Sequence, residues 1–250
     1  MKAQYVGDIG DFGKVLLLRH LAGSGLRIGV NWGLTPNDEN ADGKHRDYAG
    51  YRGRDCLCCC DEEVFKRILP TAQRNREDCE LTHLEVLIRE LCGTVTFFSE
   101  IFSSGHARSA LDRRAFDLLN PAAAELVFFD PDNGIDLNAG SSAKHVYLSE
   151  LKRYWSRGQS VLIYHHLSRT GSHERQIGNL ELKLSDAFPN SFTLVYRLRR
   201  GTARAYFLCV QPKHRNHVQG REVIEPLAPL QLTKRDWARL AKSCIAHPNS

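Results

Sequence analysis

No stretch of this 250-residue chain reaches the run of roughly 18–20 apolar residues that a helix needs to cross a bilayer. The opening Met1-Lys2-Ala3-Gln4-Tyr5 lacks the apolar centre of a secretory signal, and acidic Asp8 and Asp11 follow at once. Val15-Leu16-Leu17-Leu18 is short, lies between Lys14 and Arg19, and reads as one face of a helix. These absences predict a cytoplasmic protein. There is no internal repeat. A Walker phosphate loop is missing too, because Val15 follows Lys14 where Ser or Thr is needed. Of eight cysteines, Cys56, Cys58, Cys59 and Cys60 cluster, while Cys79, Cys92, Cys209 and Cys244 follow only singly. A structural zinc site pairs its ligands and adds a second pair farther along, so the spacing predicts free thiols rather than a metal.

What is present suits a globular chain. Apolar residues make up 42% and charged residues 25%, enough for a full core and too apolar for wholesale disorder. The net charge of +5 permits an anionic partner without requiring one. Much of the positive charge comes late, in Arg197, Arg199, Arg200 and Arg204, then Lys213, His214, Arg215 and His217. That run is either a solvated strand edge or a phosphate-facing patch.

Periodicity predicts alternating strands and helices. A first helix starts near Asp11 and runs to Leu21, stopped by Gly23-Ser24-Gly25, and a strand covers 26–32. A long polar stretch, 33–55, follows that strand, where α/β proteins place ligands. Helices are expected at 61–70, ended by Pro70, and at 82–92, then a strand at 94–98 and a helix at 109–119. The strand 125–130, the helix 147–155, the strand 160–164 and the helix 172–187 continue the rhythm. It breaks at 191–198 and 202–210, two strands separated by Arg199-Arg200-Gly201, a hairpin pattern. A last helix is expected at 233–245. Nearly wholly apolar strands imply a sheet buried on both faces. The expected fold is α/β: a doubly wound, mostly parallel Rossmann-like sheet ending in an antiparallel hairpin, with helices on both faces. It forms one domain over 1–250 with a polar and helical insertion at about 33–92.

Asp130-Pro131-Asp132-Asn133-Gly134 ends the strand 125–130. Proline cannot continue the ladder and Asn-Gly turns tightly, so the carboxylates and amide project beyond the sheet. They suit an amino group or a metal, or form an ordinary acidic turn. His165 and His166 end the next strand and point to opposite faces, so at most one readily joins Asp130. Arg169 and His173 follow as phosphate-binding candidates, with Arg199, Arg200 and Arg204 from the hairpin. At the other end, Gly7-Asp8-Ile9-Gly10-Asp11-Phe12-Gly13-Lys14 precedes the first helix, and three glycines beside a helix start let backbone amides approach an anion. Asn31, at the end of the first strand, joins these as a cofactor-binding candidate.

The order of these pieces resembles the 23S ribosomal RNA adenine-N6 methyltransferase family and, more loosely, the three-Cys-motif partner proteins. The segment from Gly7 to Lys14 is similar to that family's motif before its first helix, and Asp130-Pro131-Asp132-Asn133 is similar to its catalytic D-P-P-Y. Ile163-Tyr164-His165, followed by Leu167-Ser168-Arg169, looks like its later strand end. The resemblance implies a class I methyltransferase-like fold, S-adenosylmethionine as cofactor, and an amino group on a nucleic-acid base as substrate, held by Asp130 and Pro131. Two departures stand out. The glycine-rich cofactor loop is replaced by Gly29-Val30-Asn31-Trp32-Gly33-Leu34, and Asp132-Asn133 replaces the Pro-Tyr that stacks on a target base. Two other readings compete. One is a metal-dependent nuclease or phosphodiesterase holding Mg or Mn on Asp8, Asp11, Asp130 and Asp132 with His165 or His166. The other is a non-catalytic binding member of the fold.

Overall fold

The computed structural model describes residues 1–38, 45–46, 48, 61–138, 140–198 and 203–218. Strands β1 (Ile28–Asn31), β2 (Val95–Phe98), β3 (Leu126–Phe129), β6 (Ser160–His166), β7 (Phe192–Leu198) and β8 (Arg204–Val210) form one sheet in the order β2-β1-β3-β6-β8-β7. A separate parallel pair, β4 (Gly134–Asp136) and β5 (His145–Tyr147), follows β3. Neighbours β2, β1, β3 and β6 run parallel, with Asn31 level with Phe129 and Phe129 level with Ile163. The hairpin then enters with β8 antiparallel to both β6 and β7. The fold is thus α/β with a mostly parallel six-stranded mixed sheet, consistent with a Rossmann-like doubly wound arrangement. The chain leaves β1 in one direction to make β2, then returns past β1 to make β3. The order therefore reverses between β1 and β3, which is where open α/β sheets hold ligands.

Alternation along each strand supplies two apolar faces. Val30, Phe128, Leu162 and Tyr164 join one core with helices α1 (Ile9–Gly23), α2 (Glu62–Gln73) and α3 (Leu81–Cys92). Val127, Phe129, Val161 and Ile163 join the other with α4 (His106–Leu118), α5 (Leu148–Ser156) and α6 (His173–Ala187). Helices α2 and α3, from the segment expected as an insertion, thus belong to the main core. No helix among the described residues is long and apolar enough to cross a membrane.

Three local expectations need correction. Helix α1 starts at Ile9, two residues before Asp11, because the Asp8 carboxylate accepts the Gly10 amide and caps it. Val15, Leu16, Leu17 and Leu18 are all fully buried, so this run is not one face of an exposed helix; sheet and neighbouring helices enclose it. Pro70 lies inside α2, which continues to Gln73. The proline leaves the Lys66 carbonyl without its helical donor, and exposed Lys66 sits where water can take that place. Three further expectations, the cysteine run 56–60, most of the polar stretch 33–55 and the helix at 233–245, lie outside the described residues.

Gly29 in β1 shows how tightly the sheet and α4 side meet. A Cβ there would lie 2.8 Å from the Ala124 Cβ and 3.1 Å from Leu119. Gly29→Val is expected to cost about 1–3 kcal/mol by overpacking. Gly178→Ala, on the exposed face of α6 with nothing within 4 Å, is expected to gain about 0.5–1 kcal/mol. Urea unfolding of the two variants measures this, and equal midpoints would contradict the packing argument.

Candidate functional site at the strand tips

The tips of β1 and β3 are joined by backbone: the Asp130 amide donates to the Asn31 carbonyl at 3.0 Å. The Asn31 side-chain oxygen accepts the Gly33 amide at 3.0 Å and tightens the turn. Gly33 has φ +52, and a Cβ there would sit 3.1 Å from the Pro131 Cα. Gly33 is therefore bare because Pro131 lies against it.

A chain of buried charge covers these tips on the α1 side. The Lys14 ammonium lies 2.7 Å from Asp130 and 3.0 Å from Asp11. Asp11 also accepts the Gly7 amide at 2.9 Å. Asp8, besides capping α1, pairs with Arg204 at 3.5 Å. The amino group of Met1 donates to the carbonyls of Trp32, Gly33 and Asp130 at 3.3, 3.0 and 2.9 Å. It also pairs with the Asp132 carboxylate at 3.0 Å. Thr35 donates its hydroxyl to the other Asp132 oxygen. Burial pulls the Lys14 ammonium down, but Asp11 and Asp130 outweigh it and hold the group protonated, raised above its ordinary range. Burial raises the Asp11 carboxyl against the pull of Lys14. Burial likewise lifts the Tyr206 phenol, whose ring meets Tyr164 edge-on at 5.8 Å beside Lys14.

Each of the four carboxylates placed together by the sequence thus faces a cation, three cations in all: Asp8 has Arg204, Asp11 and Asp130 share Lys14, and Asp132 has Met1. Among the described residues no group of three or more His, Cys, Asp or Glu side chains is placed to hold a metal ion. The glycines serve the chain's own packing. A Cβ on Gly10 would lie 1.4 Å from the Arg204 guanidinium, and one on Gly7 would lie 3.0 Å from the Thr71 carbonyl. Gly13 is buried inside α1.

The opposite side of the tips holds a small crevice of about 10 Å3, lined by Asn31, Gly33, Pro131, Phe129, Phe102, Asp112 and the β5 residues His145 and Val146. Its far wall is anchored by Arg108, which sequence reasoning missed. The Arg108 guanidinium donates to both Glu150 oxygens at 2.8 Å, to the Ser142 carbonyl at 3.0 Å and to the His145 carbonyl at 2.8 Å. Phe102 and Tyr147 rings lie 5.0 Å from it. With its donors taken, Arg108 moors β5 and α5 rather than waiting for a ligand. Asp112 pairs with Arg153, and burial raises its carboxyl.

The remaining candidates separate. Asn133 is exposed, and its backbone bridges to Lys144 and His166. His165 lies on the crevice side under Gly134, where a Cβ would meet its Nδ1 at 2.5 Å, and its ring meets Phe207 edge-on. His166, exposed, sits level with Arg204 on β8. Arg204 itself is buried against Asp8, with its side chain 6% exposed; the expected basic patch is split further by His214, buried on Ser160 at 2.9 Å. Arg197 pairs with Glu174 at 3.0 Å. Arg169 is exposed after β6, His173 begins α6 with its ring 3.2 Å from the Ser168 carbonyl, and Arg199 and Arg200 lie outside the described residues. The carbonyl-lined surroundings of the Met1 amine and the crevice residues Phe102 and Asp112 carry no sequence signature of their own. Glu150, three residues after Tyr147 at the start of α5, fits a capping pattern that a closer reading of the sequence would find.

Two measurements follow from this geometry. Removing Lys14 leaves two buried carboxylates without their cation, so Lys14→Met is expected to cost about 3–5 kcal/mol. Adding Asp130→Asn should recover part of that loss, because the two changes touch one interaction. A denaturant series showing under about 1 kcal/mol for Lys14→Met, or strict additivity, would contradict the network. Burial, reinforced by His166 and His145, pushes the His165 imidazole from 6.5 down to about 4. The unfolded chain then binds the proton more readily, so His165's contribution is complete above about pH 6.5 and is lost as pH falls towards 4. The loss is roughly 3 kcal/mol, and His165→Leu should flatten that part of the stability–pH curve; an unchanged slope would refute the assignment.

Compared with models of known protein families, with curated proteins and with solved structures, the chain finds no match.

Proposed function

We propose that this chain is a methyltransferase-like cytoplasmic protein that binds S-adenosylmethionine at the crevice between β1 and β3 and acts on an amino group of a nucleic-acid base. The observation that carries the reading is position: Asp130-Pro131 ends β3 beside Asn31 at the reversal of strand order, and the crevice opens there. Some of its residues suit an adenosine. Phe102 and Phe129 offer ring edges to a base. Asp112, paired with Arg153, offers a carboxylate acceptor to a ribose hydroxyl. Its space as folded is only about 10 Å3, roughly that of one water, so an adenosine would enter only if the crevice widened.

Bound, the cofactor would supply an electrophilic methyl group. The chain's own residues would do the positioning. Asp130, fixed by Lys14, holds the loop in place, and the Pro131 carbonyl and the exposed Asn133 amide are the acceptors left to orient an incoming amine. A metal-dependent reading gains no support from carboxylates that each face a cation.

Calorimetric titration of the full chain with S-adenosylmethionine tests this. Saturable binding is expected, weakened about tenfold, or about 1.4 kcal/mol, by Phe102→Ala. Binding without transfer to any nucleic acid would leave the non-catalytic reading standing. No heat at millimolar cofactor would remove the proposal.

A further inference from the structure

The later half of the basic run regroups at the end of the sheet away from Asn31 and Phe129. Arg27 precedes β1, Glu125 precedes β3 and Ser160 begins β6. Backbone joins them: the Glu125 amide donates to the Arg27 carbonyl and the Ser160 amide to the Glu125 carbonyl, both at 2.8 Å. After β8 the turn Pro212–His214 and the short helix Arg215–Val218 come back to this end. His214, buried on Ser160, is their hub. Burial lowers its imidazole, Lys213, His217 and Arg27 push the same way, and Glu125 opposes them, so all four groups stand around it. The Lys213 ammonium also lies on Gly158, where a Cβ would sit 2.9 Å from it, and so neighbours Arg157. Arg27, Arg157, Lys213 and His217 are exposed and Arg215 is half-buried.

Unanswered charge sets this face apart. Elsewhere Arg108 meets Glu150 at 2.8 Å, Arg114 meets Glu100 at 2.6 Å and Arg197 meets Glu174 at 3.0 Å. Here the carboxylate is Glu125, and Arg27 takes it at 3.5 Å. Among the described residues no ion pair answers Arg157, Lys213 or Arg215. Helix ends account for part of the arrangement. His217 meets the Ser24 carbonyl at 2.7 Å and Arg157 the Phe116 carbonyl at 3.5 Å, and cations suit the C-terminal end of a helix dipole. A guanidinium has five N–H donors, however, so most of those on Arg157 are left over. Its plane is fixed 3.7 Å from the centre of the Phe116 ring, and a fixed guanidinium fork matches the oxygens of a phosphate. The group has no apolar centre of the kind round which protein interfaces are built. Its rings, Phe116 and Phe192, are covered by Arg157 and Arg215 and so offer no platform for an unpaired base.

We propose that this face binds the phosphate backbone of a double-stranded nucleic acid, without regard to base sequence and apart from the crevice. The inference goes beyond the methyl-transfer reading and needs no cofactor. It gives the protein a hold on nucleic acid at the end of the sheet opposite Asp130.

Fluorescence anisotropy of the full chain with a labelled DNA duplex of about 20 base pairs tests this, without S-adenosylmethionine and from roughly 50 to 200 mM salt. Affinity is expected to fall steeply as salt rises. Arg157→Gln combined with Lys213→Gln should weaken binding about tenfold or more at low salt and reduce the slope of log affinity against log salt by about two. Lys66→Gln combined with Arg67→Gln removes the same charge from α2, where Glu62, Glu63 and Glu90 already answer it. That pair should change affinity less than about twofold. Lys213→Glu alone, at an exposed side chain, keeps the test open should the first double variant fail to fold, and should itself weaken binding about tenfold. No saturable binding at low salt would overturn the proposal. So would equal losses from the two double variants, since net charge would then suffice. Polyglutamate of matched charge should compete poorly; competition equal to that of unlabelled duplex would replace nucleic acid by an acidic protein as the partner. If the duplex binds as expected while calorimetry with S-adenosylmethionine gives no heat, the face stands and the cofactor reading falls. The reverse pair of results keeps the cofactor reading and removes the face.

Discussion

The ammonium of Lys14, held between Asp11 and Asp130, decides where the first helix sits on the sheet. Helix α1 is apolar nearly all round, so hydrophobic burial alone would let it slide or turn over the sheet at little cost. An ion pair buried this deeply adds little net stability, because desolvation cancels most of its attraction. Its geometric demand is strict, however. Any register of α1 that moved Lys14 would strand two carboxylates in the core. The pair therefore sets position more than strength, and the Asp8–Arg204 contact repeats the constraint from the hairpin. With α1 fixed at both its first turns, the tips of β1 and β3 are fixed as well.

That constraint divides the strand tips into two sides with different physics. On the α1 side every charge is answered within the chain, and tyrosine rings exclude water. On the α4–α5 side, aromatic edges and one acid whose carboxyl burial raises border an open crevice. Arg108 explains why the open side keeps its shape. Its guanidinium spends its donors on Glu150, Ser142 and His145, so β5 and α5 form a rigid wall instead of a loop that could collapse inward.

Much of the fold was legible because it rests on short-range periodicity. Phe128 and Leu162 fall on one face and Val127 and Phe129 on the other, a pattern that apolar runs of four or more residues announce. Phe129 and Ile163 lie level in neighbouring parallel strands, which brings the ends of the two apolar runs together. Pro70 misled because its effect depends on whether the orphaned carbonyl meets water, which only the fold decides. The site was legible by place and not by partner. Asp8, Asp11, Asp130 and Asp132 are readable as a carboxylate group. Nothing in spacing reveals that Lys14 would stand between two of them, or that Arg204, nearly two hundred positions away, would answer a third. The pair β4–β5 was missed because three-residue strands carry too few residues for a period to show.

The two sides also explain why the strand-tip loop can carry an aspartate at Asp130 that is almost wholly buried. A carboxylate meant to touch a ligand directly would need solvent or a ligand donor as its second partner. Asp130 has neither, being 2% exposed and bonded to Lys14. Its carbonyl, by contrast, points at an ammonium together with the carbonyls of Trp32 and Gly33. The side chain thus anchors the residue from one side so that its backbone can present an acceptor on the other.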